Sequence, residues 1–359
     1  MSAYHSPIAL VLAALLWLGN PHSGAATDDQ SPRPVLIKIT AAPMKTLPVN
    51  EYTLLKTLNR YDLYRRLLDL RASGIVVSQD GAVGRNTAGY MSAAFQRDVV
   101  WLLMRSIANG NTQDLDATVL ALKYAFRYQT QEGNFKNTLG YDAKTAVGAD
   151  AFFIQAFARI HTVLQAGNKG YASRLDSFKP NLVRALRWLR GNSKELLRQD
   201  GKATNRLLFD AIALTLGGQI VADQAAQELG QSFLDTALSN QRPDGSFDEH
   251  DGSDTSYQAV SILNLGGLLL NERQSARKAK LAQAYCRAVQ WEASKVSSTG
   301  EVSVVGNSRT GSGQEMFFGK PKDVNYYEVI LSFYQASAIC NAAYANVADS
   351  ILRFATAKR

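Results

Sequence analysis

The chain has 359 residues, of which 46% are hydrophobic and 19% are charged, a balance that excludes a disordered or fibrous protein. Lysine and arginine number 39 against 31 aspartates and glutamates, so the net charge of +8 favours an anionic partner. Two cysteines are too few for a disulfide scaffold.

The first 26 residues predict a secretory signal peptide. Residues 8–18 (IALVLAALLWL) form an apolar run that is too short to cross a bilayer as a helix. Gly19, Asn20 and Pro21 follow this run, and small residues then lead to a cleavage site before Thr27. Residues 1–6 carry no lysine or arginine, which departs from the usual signal pattern. An uncleaved anchor is the alternative.

Export would place the whole charge excess on the mature chain, since residues 1–26 contain no Asp, Glu, Lys or Arg. In the periplasm or outside the cell we expect no nucleic-acid partner, and the sequence has no nucleic-acid-binding motif. An acidic polysaccharide is therefore the expected partner; the alternative is that the charge only aids solubility. No later segment approaches about 20 apolar residues, so we expect no membrane span in the mature chain. We also expect the protein to act as a monomer.

After the signal, residues 27–50 predict an extended Pro-rich segment that contains the strand-like sequence VLIKIT. Residues 51–359 predict one helical domain, because apolar residues recur at i, i+3, i+4 and i+7 in runs such as EYTLLKTLNRYDLYRRLLDL. Alternating runs of the strand type are nearly absent. The sequence therefore predicts an all-α fold.

A glycine-turn motif recurs between the predicted helices, as in SQDGAVGRN and RPDGSFDE. Asp-Gly and Glu-Gly steps favour tight turns, because glycine accepts a positive φ. The intervals between the glycines are 52, 68, 44 and 55 residues, each long enough for one helical hairpin. The turn glycines are Gly81, Gly133, Gly201, Gly245 and Gly300.

Each turn leads through a polar stretch into an apolar helix, whereas the helices before the turns are charged. The apolar helices are predicted over residues 88–104, 147–164, 205–221, 254–270 and 324–340. Alternation of covered and exposed helices predicts an α/α toroid, an incomplete (α/α)5–6 barrel of about five inner and six outer helices. A TPR-like solenoid is the alternative, but the irregular spacing and the long loops favour the toroid.

The loop over residues 242–258 (RPDGSFDEHDGSDTSYQ) is the richest in polar side chains. It contains His250, which is the mature chain's only histidine in a polar loop, and Asp254, a candidate N-cap that we also predict to bind substrate. Tyr257 follows in the first turn of an apolar helix. His161 lies within ARIHTVL, where we expect a structural role.

The loop over residues 305–327 is the longest irregular stretch, and long loops in compact domains are commonly functional. It contributes polar and aromatic candidates for substrate binding, namely Asn307, Arg309, Glu315, Lys320, Lys322 and Tyr327. Two further junctions of the same kind contribute Arg85, Asn86, Tyr90, Tyr141 and Asp150. All these junctions fall at one end of the predicted barrel, so we expect them to line one groove.

The sequence lacks the motifs of several other common enzyme and metal-binding sites. The sequence has no P-loop, no G-x-S-x-G elbow, no H-E-x-x-H and no cysteine pair at zinc spacing. We therefore expect no metal and no cofactor. Cys286 and Cys340 are compatible with a disulfide in an oxidising compartment or with two buried thiols.

The signal, the hairpin repeat, the DGSF-x-E-H…Tyr junction and the loop with Arg309 and Lys320 resemble the α/α-toroid carbohydrate-active enzymes. The resemblance is to secreted polysaccharide lyases that act on uronate polymers. It is a resemblance of architecture, and it extends over most of the mature chain. It implies β-elimination, which needs a neutralised C6 carboxylate, a base for the C5 proton and an acid for the leaving O4. We predict Tyr257 and His250 as the acid/base pair. Arg309 is predicted to hold the carboxylate, with Lys320 or Asn307 as alternatives.

Two other functions remain open at this point. A glycoside hydrolase on the same scaffold would use two carboxylates, drawn from Asp150, Asp210, Asp254 and Glu315. A non-catalytic exported glycan-binding or polysaccharide-assembly protein would use the same groove without turnover.

Overall fold

A computed structural model describes residues 47–140, 142–143, 146–311, 315–317 and 320–358. The predicted signal peptide, most of the Pro-rich segment and the candidate Tyr141 lie outside these residues. The described residues are mostly helical, which confirms the all-α class. The α-helices are α1 (Glu51–Leu58), α2 (Asp62–Ala72), α3 (Val100–Asn109), α4 (Thr112–Phe126), α5 (Val147–Gly167), α6 (Lys169–Asp176), α7 (Lys179–Gly191), α8 (Ser193–Asp200), α9 (Thr204–Val221), α10 (Gln224–Ser239), α11 (Thr255–Asn271), α12 (Ser275–Ser294), α13 (Tyr326–Ile339) and α14 (Tyr344–Ala357).

Four helices, α5, α9, α11 and α13, are buried along most of their length. Apolar side chains on several faces let each of them pack against neighbours on more than one side. Helix α5 packs against α9, α9 against α11, and α11 against α13. Their bounds agree to within three residues with the apolar helices predicted from residue 147 onward. The remaining long helices, such as α10 and α12, keep an exposed face.

The first of the predicted apolar helices, over residues 88–104, is wrong in its first half. Two 3-10 helices, Gly84–Ala88 and Ala93–Val99, precede α3. Gly89 has a φ of 125°, which ends the first of them. The side-chain oxygen of Asn86 then accepts hydrogen bonds from the backbone N–H groups of Met91 and Ser92. Asn86 thus stabilises a loop where helical spacing alone predicts a continuous helix.

Four of the five predicted glycine turns share one structure. Their glycines have φ values between 92° and 106°, and each glycine N–H donates to the carbonyl three residues earlier. A methyl group at any of these positions would collide with a backbone carbonyl oxygen in the helix beneath, which is α4, α7, α12 or α14. The absence of a side chain therefore permits close packing of turn against helix. These glycines are Gly81, Gly133, Gly245 and Gly300.

The turn predicted at Gly201 is wrong. This glycine has a φ of −57° and ends α8 without a turn of the shared type. Ala203 pairs instead with Glu249, and the Thr204 N–H donates to the Asp248 carbonyl at 3.2 Å. The start of α9 therefore lies against the loop that carries His250.

Cys286 and Cys340 form a disulfide between α12 and the residue that ends α13. The second long loop contains a short antiparallel hairpin, β1 (Met316–Phe317) with β2 (Lys320–Pro321). Within the part of the chain that the structure describes, no helix has both the length and the apolar character to cross a membrane.

Candidate functional site

The two longest polar loops of the sequence meet in front of α11. Ser253 pairs in parallel with Asn307, and the Ser308 N–H donates to the Ser253 carbonyl at 2.9 Å. The Ser308 hydroxyl donates to the Glu249 carbonyl at 2.8 Å. Backbone pairing therefore brings together candidates that lie more than 50 residues apart in the chain.

Asp254 joins these loops to the helix. Its Oδ1 accepts the backbone N–H groups of Ser256 at 3.0 Å and Tyr257 at 3.2 Å, as the predicted N-cap of α11 should. Its Oδ2 accepts the backbone N–H groups of Arg309 at 3.1 Å and Thr310 at 2.6 Å. The carboxylate is 1% exposed, so its role here is to fix both loops against the helix end.

Asn307 has a similar structural position. Its Oδ1 accepts the Thr255 N–H at 3.2 Å, and its Nδ2 donates to the hydroxyls of Thr255 and Thr310, each at 3.0 Å. The side chain is buried. The amide that the sequence offered as a substrate contact is therefore occupied in holding the loop.

Tyr257 lies at the centre of a compact charged cluster. Its hydroxyl donates to Glu315 Oε2 at 2.6 Å and accepts a hydrogen bond from the Lys322 ammonium group. The Arg309 guanidinium carbon lies 3.9 Å from the centre of its ring, within the range of a cation–π interaction. One tyrosine hydroxyl thus has a cation and a carboxylate as direct partners.

Arg309 is buried between two glutamates. Its Nη1 forms an ion pair with Glu249 Oε1, and its Nε lies 3.1 Å from Glu315 Oε2. Only 6% of the residue is exposed. The guanidinium therefore holds both carboxylates and the tyrosine ring in place, which does not suit the predicted role of receiving a substrate carboxylate.

The surroundings of the two glutamates in this cluster shift their pKa values in opposite directions. Burial raises the pKa of Glu249 to about 7, against the opposing charges of Arg309 and Arg206. Burial also acts to raise the pKa of Glu315, but Lys322 and Arg309 outweigh it and the pKa is lowered. Near neutral pH the site therefore holds one carboxyl group that can carry a proton and one that is ionised.

The pKa values of Tyr257 and Lys322 are also shifted by their surroundings. Burial raises the pKa of Tyr257 well above its usual value; Arg309 opposes this rise and Glu315 adds to it. Burial and Glu315 therefore outweigh the charge of Arg309 in setting the pKa of this tyrosine. Burial lowers the pKa of Lys322 to about 8. Tyr257 is thus a protonated acid, and Lys322 retains its charge at neutral pH.

His250 lies at the exposed edge of the cluster. Its Nε2 is 3.9 Å from Glu249 Oε1, and 43% of its side chain is exposed. Burial of the rest, together with Arg309 and Arg206, lowers the pKa of His250 to about 4. The imidazole is therefore neutral at physiological pH and can accept a proton.

The backbone at His250 is held in an unusual conformation. His250 and Asp251 have φ values of 55° and 66°, in the left-handed region that non-glycine residues rarely adopt. The His250 N–H donates to the Lys202 carbonyl at 2.6 Å, and the Lys202 ammonium pairs with the Asp251 carboxylate at 2.9 Å. Such strain persists where the surroundings fix it, and it is common at functional sites.

The other predicted junction residues make contacts of their own. Asn86 is buried within the first 3-10 helix. Tyr90 stacks on Tyr128 with ring centres 3.7 Å apart, and Asp150 accepts the Phe135 N–H at 3.3 Å. Burial, followed by the Asp150 carboxylate, raises the pKa of Tyr90.

The remaining predicted residues lie elsewhere on the surface or in packed helices. Arg85 belongs to the first 3-10 helix, and Lys320 is exposed on β2. Tyr327 packs edge-on against Trp101 with ring centres 6.4 Å apart. His161 has its Nε2 2.9 Å from Asp176 Oδ1, which agrees with the structural role expected of it.

Sequence reasoning missed the contribution of the α8–α9 junction. Arg206 and Asp200 form a buried ion pair at 3.4 Å, and the charge of Arg206 acts on both Glu249 and His250. Behind them Asp210 is completely buried, and burial followed by the charge of Asp200 raises its pKa well above the usual value. The sequence feature that could have revealed these residues is the pair Arg206 and Asp210, two charged residues four positions apart in an otherwise apolar helix.

Comparisons with known proteins identify no family. No protein-family model matches the sequence, and no curated protein does. The crystal structure of the Lin0763 protein from Listeria innocua is similar over 86% of both chains, with 11% sequence identity and a TM-score of 0.40. A likeness this distant assigns neither a fold family nor an activity.

Proposed function

We propose that the protein is an exported lyase that cleaves an acidic, uronate-containing polysaccharide by β-elimination. One observation carries the proposal: the Tyr257 hydroxyl bonds to Lys322 and Glu315, in the cluster that has His250 at its exposed edge. A neutral base, a protonated acid and a cation are the groups that β-elimination at a uronate requires.

The pKa shifts distinguish the base from the acid. Neutral His250 takes the C5 proton, because its pKa of about 4 leaves the imidazole unprotonated. The electrons of the C5–H bond form the C4–C5 double bond, and the C4–O4 bond breaks. Tyr257 gives its proton to the leaving O4. Lys322 and Arg309 stabilise the resulting phenolate until Tyr257 regains a proton and His250 releases one, so the protons balance.

We assign the substrate carboxylate to Lys322 in place of Arg309. Lys322 is 17% exposed at its side chain and already contacts the Tyr257 hydroxyl, so a carboxylate bound there lies next to the acid. Lys322 also lies 3.8 Å from one glutamate, Glu315, whereas Arg309 is 7% exposed at its side chain and shares its charge between two glutamates. Its contribution is to position the tyrosine ring and both carboxylates.

Helix packing supports the finer architecture of the proposal, an incomplete α/α toroid. Helix α2 packs against both α3 and α13, and α1 packs against α3, α5 and α13. The first helices therefore lie against the last buried helix, as closure of a ring of helical hairpins requires. Periplasmic or extracellular location is supported by the Cys286–Cys340 disulfide, which is typical of an oxidising compartment.

The direct test incubates the purified protein with a panel of uronate polymers and measures the ultraviolet absorbance of new C4–C5 double bonds. His250→Ala and Tyr257→Phe should each lower the rate by about 10²- to 10⁴-fold, the usual contribution of a general acid or base. Tyr171→Phe, which changes a tyrosine on α6, should leave the rate unchanged. Full activity in Tyr257→Phe would refute the assignment.

A glycoside hydrolase is the second candidate, and the two glutamates favour it. Hydrolysis needs one protonated and one ionised carboxyl group, and Glu249 and Glu315 have pKa values displaced in those two directions. Reducing ends without new absorbance, lost in both Glu249→Gln and Glu315→Gln, would select this candidate. Polymer binding with neither product would select a glycan-binding or assembly role.

A further inference from the structure

Three ionisable side chains are buried together where α8 meets α9. Arg206 is 3% exposed, Asp200 is 1% exposed and Asp210 is 0% exposed, so all three are shielded from water. Arg206 Nη1 lies 3.4 Å from Asp200 Oδ1. Arg206 and Asp210 are four residues apart on α9, so their side chains share one face of that helix. One buried arginine therefore lies beside two buried aspartates.

The two aspartates also act on each other. Burial and the negative charge of Asp200 raise the pKa of Asp210 well above its usual value against the charge of Arg206, and a hydrogen bond between the two carboxyl groups adds to the rise. Among the described residues, no other donor reaches either carboxyl oxygen of Asp210. Two ionised carboxylates beside one arginine would leave a buried charge unbalanced, so this contact favours a single proton held between them.

The chain between α8 and α9 is joined to the loop of His250 through the backbone. The His250 N–H donates to the Lys202 carbonyl at 2.6 Å, and Ala203 pairs with Glu249. The Arg206 N–H in turn donates to the Ala203 carbonyl at 2.9 Å, in the first turn of α9. A displacement of Arg206 would therefore be passed to the backbone that carries both His250 and Glu249.

The charge of Arg206 also acts on the two ionisable side chains of this loop. Burial, Arg309 and Arg206 together lower the pKa of His250 to about 4. Burial raises the pKa of Glu249 to about 7, and Arg309 and Arg206 oppose that rise. The carboxylates that act in the opposite direction on His250 are Glu315 and Asp251. Arg206 thus favours a neutral imidazole beside an ionised glutamate.

We propose that Arg206 is a positioning residue for His250 and Glu249, and that Asp200 and Asp210 hold it in place as a carboxyl pair that shares one proton. The shared proton leaves the pair with one negative charge, which balances the single charge of the guanidinium. The backbone contacts fix the loop, and the fixed cation keeps the imidazole neutral. The inference rests on the proposed function in taking His250 as the base, but its first test needs no substrate.

That test is a titration of the histidine rings by nuclear magnetic resonance in the full chain. The described part of the chain contains two histidines; the signal lost in His250→Ala identifies His250, and His161 is the internal reference. Arg206→Gln should raise the titration midpoint of His250 by about one pH unit, because a nearby positive charge is removed. Arg206→Lys should restore the midpoint, since it keeps the charge.

The shared proton has a separate test in the two aspartates. The carboxyl carbon shifts of Asp200 and Asp210 should show one bound proton at neutral pH, and two ionised groups would overturn the pair. Asp210→Asn should unfold at nearly the same urea concentration as the wild type, because the amide replaces a protonated carboxyl group. Asp200→Asn combined with Asp210→Asn leaves Arg206 without a counter-charge and should raise the unfolding equilibrium constant by about 10²- to 10³-fold.

Controls separate the positioning role from a general loss of stability. Arg71→Gln breaks another buried ion pair, with Asp98 at 2.9 Å, so it should destabilise the protein and leave the His250 midpoint unchanged. If Arg206→Gln does not fold, Arg206→Met carries the same test, because it keeps the apolar stem of the arginine. A double aspartate variant as stable as Asp210→Asn would contradict the proposed counter-charge.

The outcomes distinguish this inference from the proposed function. If the protein is a lyase, the acid limb of its kcat/KM profile should follow the His250 midpoint in each variant. A midpoint that shifts as expected in a protein that forms no double bonds would support the positioning role and reject the lyase. An unchanged midpoint in Arg206→Gln would overturn the positioning role and leave lyase activity to its own assay.

Discussion

Asp254→Ala should destabilise the protein much more than the loss of an ordinary helix cap. A cap alone contributes about 1 kcal/mol. The Asp254 carboxylate, however, accepts four backbone N–H groups and the Thr310 hydroxyl, and two of those N–H groups belong to a loop more than 50 residues away. A buried donor left without an acceptor costs about 1–3 kcal/mol. Allowing for rearrangement of some donors, we expect a loss of about 3–5 kcal/mol.

Urea unfolding followed by circular dichroism measures this loss. Asn111→Ala is the matched control, because Asn111 caps α4 through one backbone hydrogen bond, from Gln113, and should cost about 1 kcal/mol. Asp254→Asn keeps one acceptor oxygen and should fall between the two variants. A loss of only about 1 kcal/mol in Asp254→Ala would refute the view that this carboxylate holds both loops.

Three further predictions concern the fold and the buried glutamate. Gly245→Ala should lower the free energy of unfolding by about 2–4 kcal/mol, measured in urea, because Gly245 has a φ of 96° and the new methyl group would collide with the Arg287 carbonyl. Gly191→Ala is the control, because a methyl group there meets no neighbour and should not change stability. The raised pKa of Glu249 stabilises the folded protein fully below about pH 4.5, and this stabilisation is lost as the pH rises through about 7. Between pH 4.5 and 7 the free energy of unfolding of the wild type should therefore fall by up to about 3 kcal/mol relative to that of Glu249→Gln. Free energies of unfolding that change with pH in parallel for the two proteins would contradict this. Reduction of the disulfide, which spans 54 residues, should lower stability by about 4 kcal/mol, and an unchanged unfolding midpoint in reductant would argue against it.

Helical periodicity predicted the bounds of a helix correctly where the helix is buried along most of its length. Helices α5, α9, α11 and α13 agree with the apolar segments because apolar side chains continue along most of each helix. The prediction failed at residues 88–104, since a hydrogen bond from the Met91 N–H to the Asn86 side-chain oxygen and the conformation of Gly89 break the helix locally. It also failed at Gly201, where an Asp-Gly step ends a helix without the tight turn of the other four glycines.

The sequence predicted only part of the candidate site, since it named neither Glu249 nor Arg206. His250, Tyr257, Arg309 and Lys322 do meet, because their loops are joined by backbone pairing in front of α11. The protonation state of Tyr257 could not be inferred from the residue types, since burial raises the pKa of this tyrosine despite the neighbouring Arg309.

The sequence by itself determined the all-α class, the hairpin repeat and the two loops in which the polar residues gather. These features depend on local periodicity and turn chemistry, which a single chain segment carries. Only the tertiary structure decided that Cys286 and Cys340 are joined, that Arg309 lies between two glutamates, and that Arg206 pairs with Asp200 beside the loop that carries His250. Ion pairing and pKa depend on burial and on neighbours distant in sequence, and those are fixed when the helices pack.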